Sequence, residues 1–158
     1  MMQYQFDDIF LRPLERNDAL TSCQWRNDPE VWKYTGSRPN RFITEEIELE
    51  WIDKVLTDNT RKVFAICLKE GSRYVGNVQV TNIEGEIAQF HIFIGDKTVW
   101  GKGIGTAATI QMLEIAKKEL HLKTLKLWVN IENSAARKIY LKVGFKSVDE
   151  TGNMEIVL

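Results

Sequence analysis

Between Val63 and Ile94 the chain passes through three β-rich runs, VFAICLK, YVGNVQVTNI and EIAQFHIFI, separated only by EGSR and by Glu84-Gly85. Connections that short leave no room for a crossover, so successive strands must run antiparallel as hairpins. The rest of the chain has to be built around that meander. Ahead of it, IFLRPL reads as a first strand, and Asn17 or Asp18 can cap a helix running towards Trp25. Pro29 suits the first turn of a short helix through PEVWKY, and SRPNRF is a loop by its Pro and Asn content. Thr44 can cap a further helix, opened by Glu45 and Glu46, with Ile47, Trp51, Ile52, Val55 and Leu56 on its apolar face.

After the meander, Ala108, Met112, Ile115, Ala116 and Leu120 recur at helical spacing. TLKLWVN is a strand, SAARKIYLKV a helix closed by Gly144, and FKSVDE with MEIVL a last pair of strands around Thr151-Gly152-Asn153. Because TLKLWVN follows a crossover helix, it can lie parallel to EIAQFHIFI. The fold expected is mixed α/β (α+β): a mostly antiparallel central sheet flanked by helices.

A chain of 158 residues suits one domain spanning residues 1–158. With 27% charged residues and a formal net charge of −1, no overall field recruits nucleic acid or an anionic membrane, so any polyanion must be bound locally. Cys23 and Cys67 form no metal spacing, and no metal site is expected. MMQYQFDDIF has no signal-peptide pattern and no apolar run is long enough to span a bilayer, which together point to a reduced, cytoplasmic protein.

The stretch VWGKGIGTAA places Gly101, Gly103 and Gly105 just ahead of a helix. Bare backbone beside the unpaired amides of a helix start suits an anion; the alternative is a tight turn with glycines at positive φ. Walker A is excluded, because Lys102 is followed by Gly103 rather than Ser or Thr. Gly103, Gly105 and Ala108 fit the dinucleotide fingerprint, but that fingerprint should follow its strand at once, and here the apolar run ends near Ile94. A coenzyme A pyrophosphate loop is the third candidate.

WGKGIGT together with NSAARKIYLKVGF, whose Asn133, Ala136, Tyr140, Gly144 and Phe145 fall in register, resembles the two motifs of the GNAT acetyltransferase superfamily. Trp100 stands where Gln or Arg is usual in the first motif. The early LRPLE and WRNDPEV are similar to the branch of ribosomal-protein N-terminal acetyltransferases, to which polyamine and amino-sugar N-acetyltransferases are related. The resemblance covers nearly the whole chain. It implies acetyl-CoA as donor, with the backbone of Gly101, Lys102, Gly103, Ile104, Gly105 and Thr106 on the pyrophosphate. It further implies Ile92, Phe93 and Ile94 along the pantetheine, supplying an oxyanion donor, with Asn133 and Ala136 nearby.

Acyl transfer to an amine needs a neutral amine, a polarised carbonyl and a stabilised thiolate. By resemblance Tyr140 is the general acid; otherwise it is a buried aromatic on its helix. Relatives often carry Glu where this chain has Gln89, which cannot take a proton, so a water relay or another residue does the work, or the amine arrives neutral; His91, on the same strand face, is the candidate base, or else a structural hydrogen-bonding residue. Asn77 and Gln79, with Thr81, form a polar stripe that walls the acceptor cleft if the strand register places it beside Gln89 and His91. Arg26, Asp28 and Trp32 stand for the acceptor segment, which also holds Trp25, Glu30, Tyr34, Arg38 and Phe42.

An acidic set of Asp28, Glu30, Glu45 and Glu46 would suit a polyamine; Arg26, Trp32 and Arg38 would suit a nucleotide-linked amino sugar. The resulting expectation is direct transfer to a primary amine of a small molecule. A protein N-terminus, or a non-catalytic acyl-CoA sensor, is the alternative. MEIVL is compatible with strand pairing in a homodimer.

Overall fold

The computed structural model describes residues 3–33 and 38–158. Seven strands form one sheet: β1 (Ile9–Pro13), β2 (Lys62–Leu68), β3 (Arg73–Glu84), β4 (Ile87–Ile94), β5 (Thr124–Trp128), β6 (Lys146–Ser147) and β7 (Asn153–Val157), in the order β1-β2-β3-β4-β5-β7-β6. Every neighbouring pair is antiparallel except β4 with β5. The helices are α1 (Ala19–Arg26), α2 (Pro29–Trp32), α3 (Glu45–Thr57), α4 (Ile104–Lys118) and α5 (Ser134–Val143).

Alternation along β2 builds two cores. Ile66 and Leu68 join Val78, Val80, Phe90, Ala108, Met112 and Leu125 beneath α4 and α5, while Val63, Ala65 and Cys67 meet Leu14, Ala19, Ile52 and Val55 beneath α1 and α3. Cys67 is thus a packing residue, with burial pushing its thiol pKa up. Over β4 and β5 the second face is bare: Gln89, His91, Lys126 and Trp128 are all exposed.

The expected elements are present, with shifts that have local causes. FKSVDE shortens to Lys146–Ser147 because Asp149 turns the chain, accepting from Thr151 N at 2.9 Å and from Asn153 Nδ2 at 2.8 Å. PEVWKY is helical only over Pro29–Trp32; Tyr34 and Ser37, the latter opening the expected SRPNRF loop, lie outside the described residues. Leu56, expected on the apolar face of α3, is exposed, whereas Glu48 is buried there.

Asp18 precedes α1 but does not cap it by side chain. Its carboxylate is gripped by Arg12, with Nη2 to Oδ1 at 2.7 Å and Nη1 to Oδ2 at 2.9 Å, and it also accepts from Glu15 N at 2.8 Å. This bidentate pair ties β1 to the start of α1 and holds the Arg12 pKa above its ordinary value, chiefly through the Asp18 hydrogen bond. Asp18→Ala leaves the guanidinium with only the longer pair to exposed Glu15, at 3.9 Å, and the Pro13 carbonyl at 3.1 Å. Because Arg12 keeps some solvent contact, the expected loss is about 2–3 kcal/mol, measured by urea unfolding.

Candidate active site

The parallel pairing of β4 with β5 extends only over Ile87↔Thr124, Ala88↔Leu125 and Gln89↔Lys126. β4 then continues to Ile94 paired with β3 alone, through Val78↔Ile92, Asn77↔Phe93 and Gly76↔Ile94. The two strands therefore part beyond Gln89. Ile92, Phe93 and Ile94 line one side of the parting. Trp100 reaches back from the loop after β4, its indole N–H donating to the Ile94 carbonyl at 2.8 Å.

The loop between β4 and α4 is held where its glycines permit. Gly95 lies against the Trp25 ring, which a Cβ there would penetrate. Trp25 is in turn fixed by Tyr74 and Phe93, with ring centroids 4.7 and 6.0 Å away. Gly101 has φ +73° and open space beside it; Gly103, at φ +90°, approaches the N-terminal segment, where a Cβ would come within 2.8 Å of Tyr4 O. Gly105 is helical and lets α5 close in, with Ile139 Cδ1 at 3.0 Å from a Cβ built there. The glycines thus serve both the turn and the packing.

No backbone N–H from Gly101 to Thr106 donates to a protein acceptor among the described residues, and no side chain caps α4. These amides, Lys102 and Ile104 included, stand at the positive end of a 15-residue helix. An anion with several oxygens satisfies both features.

Asn133 caps α5, its Oδ1 accepting from Ala136 N at 3.2 Å, and Ala136 packs on the core. One turn later Tyr140 is buried edge-on against Phe90 and Phe145, at 6.1 and 5.8 Å. Its hydroxyl bonds to no described residue. Burial pushes its pKa up to about 12, so at neutral pH the phenol keeps its proton.

On the opposite face, the register aligns Gln79 with His91 and Thr81 with Gln89, so the polar stripe does lie beside the two strand residues. Thr81 Oγ1 and His91 Nε2 are 3.0 Å apart. His91 is exposed, yet neighbouring groups desolvate its ring and Arg61 adds positive potential, both lowering its pKa. It is therefore neutral over a wider pH range than a free imidazole. Asn77 is not a cleft residue: it is buried, and Tyr74 donates to its Oδ1 at 2.6 Å.

The segment after α1 is tied down more than its composition suggests. Arg26 Nη1 meets Glu48 Oε1 at 2.8 Å and lies over the Trp51 ring at 6.0 Å. Asp28 caps α2 through Glu30 N and pairs with Lys97 at 2.8 Å; Glu30 shares that lysine at 3.3 Å. Trp32 is half-buried with Arg38 over its ring at 5.5 Å, while Phe42 is exposed. Sequence reasoning missed Arg61, which precedes β2, lies over Trp51 at 5.9 Å and donates to Gln79 Oε1 at 2.7 Å. A lone basic residue at a strand start carries no local signal of that role.

A hollow of about 390 Å³ between β1 and α4, lined by Phe10 and Gln111 among others, touches neither the glycine loop nor Tyr140, so it is not this site.

Residues 8–146 match the acetyltransferase (GNAT) domain family. Spermidine N(1)-acetyltransferase of Escherichia coli K12 is 32% identical over 138 residues, covering 87% of this chain and 72% of the relative. Acetyltransferase PseH of Campylobacter jejuni is 25% identical over 127 residues, covering 80% and 76%. In fold, the chain superposes on a spermidine N-acetyltransferase from Vibrio cholerae solved with CoA and spermine, at a TM-score of 0.87, 23% identity and 96% coverage of both chains. With the matched family spanning most of its length, the chain belongs to the GNAT acetyltransferases, as an N-acetyltransferase.

Proposed function

We propose that this enzyme transfers the acetyl group of acetyl-CoA directly to a primary amine of a small molecule. The observation that carries the donor is the run of unpaired amides from Gly101 to Thr106 at the start of α4. Those amides fit a pyrophosphate, and Ile92, Phe93 and Ile94 offer strand backbone on the side that β5 leaves free. When bound, acetyl-CoA supplies an activated thioester carbonyl, and an amide of the Ile92–Ile94 run polarises its oxygen. The acceptor class draws support from the spermidine-acetylating relative.

The chain's residues divide the proton work between the two faces of the sheet. His91, neutral because its pKa is lowered, takes a proton from the incoming ammonium on the exposed face, with Gln89 beside it as a hydrogen-bonding neighbour and Thr81 orienting the ring. The nitrogen would form its bond to the carbonyl carbon and the C–S bond would break, with Tyr140 giving its proton to the departing sulfur and regaining one as the nitrogen sheds its second proton to become the amide. A phenol buried on Phe90 without a hydrogen-bond partner among the described residues is well suited to that donation and favours catalysis over a purely sensing role.

Gly101→Ala tests the donor site, because the added Cβ enters open space while the positive φ costs only about 1 kcal/mol. Calorimetry should show acetyl-CoA affinity falling by more than the stability loss accounts for; unchanged affinity would remove the loop from the site. Tyr140→Phe keeps the packing and loses the proton, so kcat should fall about 100-fold with little change in KM, measured as thiol release. For His91 the sign follows from its lowered pKa: it protonates only below the usual imidazole range. The acid limb of kcat/KM therefore belongs below about pH 6.5 and should vanish in His91→Gln.

A further inference from the structure

The exposed face beside β4 carries a cation with no ion-pair partner among the described residues. The Arg61 guanidinium rests over Trp51 and donates from Nη2 to neutral Gln79, and its buried Nε has no acceptor. It forms no ion pair with a described residue. Asp58 is near enough to feel its charge but forms no ion pair with it; its Oδ1 accepts from Thr60 N at 2.8 Å and Thr60 Oγ1 at 2.6 Å. Lys126, exposed on the same face beside Gln89, also makes no ion pair with a described residue, although Glu155 lies opposite it on β7.

Several of the acids that could serve a polycation already hold a cation of this chain. Asp28 and Glu30 hold Lys97, Glu48 holds Arg26, and Asp96 holds Arg73. Glu45 and Glu46 sit exposed in the first turn of α3, where they favour the helix dipole.

We propose that the acceptor is an amine that also bears an anionic oxygen group, phosphate or carboxylate, which docks on Arg61 beside Trp51. This rests on the acetyl-transfer reading and narrows its substrate class. The planar guanidinium presents donors in a fork that matches either anion, and the Trp51 face holds that fork in place. A polyamine placed over Trp51 meets like charge in Arg61, with Lys126 further along the same exposed face.

The test uses the full chain saturated with CoA and titrated calorimetrically with glucosamine, glucosamine 6-phosphate, glucosaminic acid and spermidine. At least one anionic amine should bind about tenfold or more tightly than both glucosamine and spermidine. Which of the two does so identifies the phosphate or the carboxylate. Arg61→Gln should remove that margin, a loss of about 10- to 100-fold, with CoA affinity and Tm unchanged. Equal or tighter binding of spermidine, no detectable preference for either anionic amine, or a preference that survives Arg61→Gln overturns the proposal. Failure of the wild type to bind CoA overturns the acetyl-transfer reading instead. The anion preference and its dependence on Arg61 are then read in the same titration without CoA.

Discussion

β4 and β5 stay together for three residue pairs and then separate, and the site depends on that separation. Each strand is held away from the other by stronger commitments elsewhere. The end of β4 is paired along β3, the amides of Gly95 and Asp96 donate to Val75 O at 2.9 and 3.1 Å, and Trp25 covers Gly95. β5 is paired with β7 along its whole length, from Thr124↔Val157 to Trp128↔Asn153. Beyond it, Trp128 Nε1 donates to Thr151 O at 3.0 Å. Since backbone groups left without partners are costly, a gap in a sheet persists only where both flanking strands are secured in this way.

The gap gives the two faces of the sheet separate duties. One face packs Phe90, Tyr140 and Phe145 into the larger core, so the phenol is desolvated and keeps its proton. The other leaves His91 at the surface beside Thr81, lowered in pKa and thus neutral. A phenol that keeps its proton and an imidazole lowered in pKa, the acid and base of the proposed reaction, arise from burial on one side and partial desolvation on the other. Neither needs an unusual side chain.

Much of the fold was legible because it follows from local pattern. The short turns fixed the antiparallel meander, the 3.6-residue spacing after Gly105 fixed α4, and Gly144 closed α5 in the left-handed region at φ +115°. Gly103 likewise adopts the left-handed conformation expected of a glycine before a helix. Less was legible wherever two distant segments meet. Asn77 alternates correctly with Gln79, yet it is buried with Tyr74 donating to it, and Asp28 and Glu30, part of the acidic set, both pair with Lys97. Trp25, one of the aromatics of the acceptor segment, packs against Gly95, which no local pattern foretells.

The sequence by itself determined the order of elements, the strand faces and the position of the bare amides, because these depend on neighbours a few residues apart. Tertiary structure alone decided which charges survive on the acceptor face. Arg26 and Glu48 are 22 residues apart, and Arg61 and Gln79 are 18 apart. No periodicity links them; packing around Trp51 does. Whether a charge is neutralised depends on the group that lies within a few ångströms of it, and that is fixed only when the helices settle on the sheet.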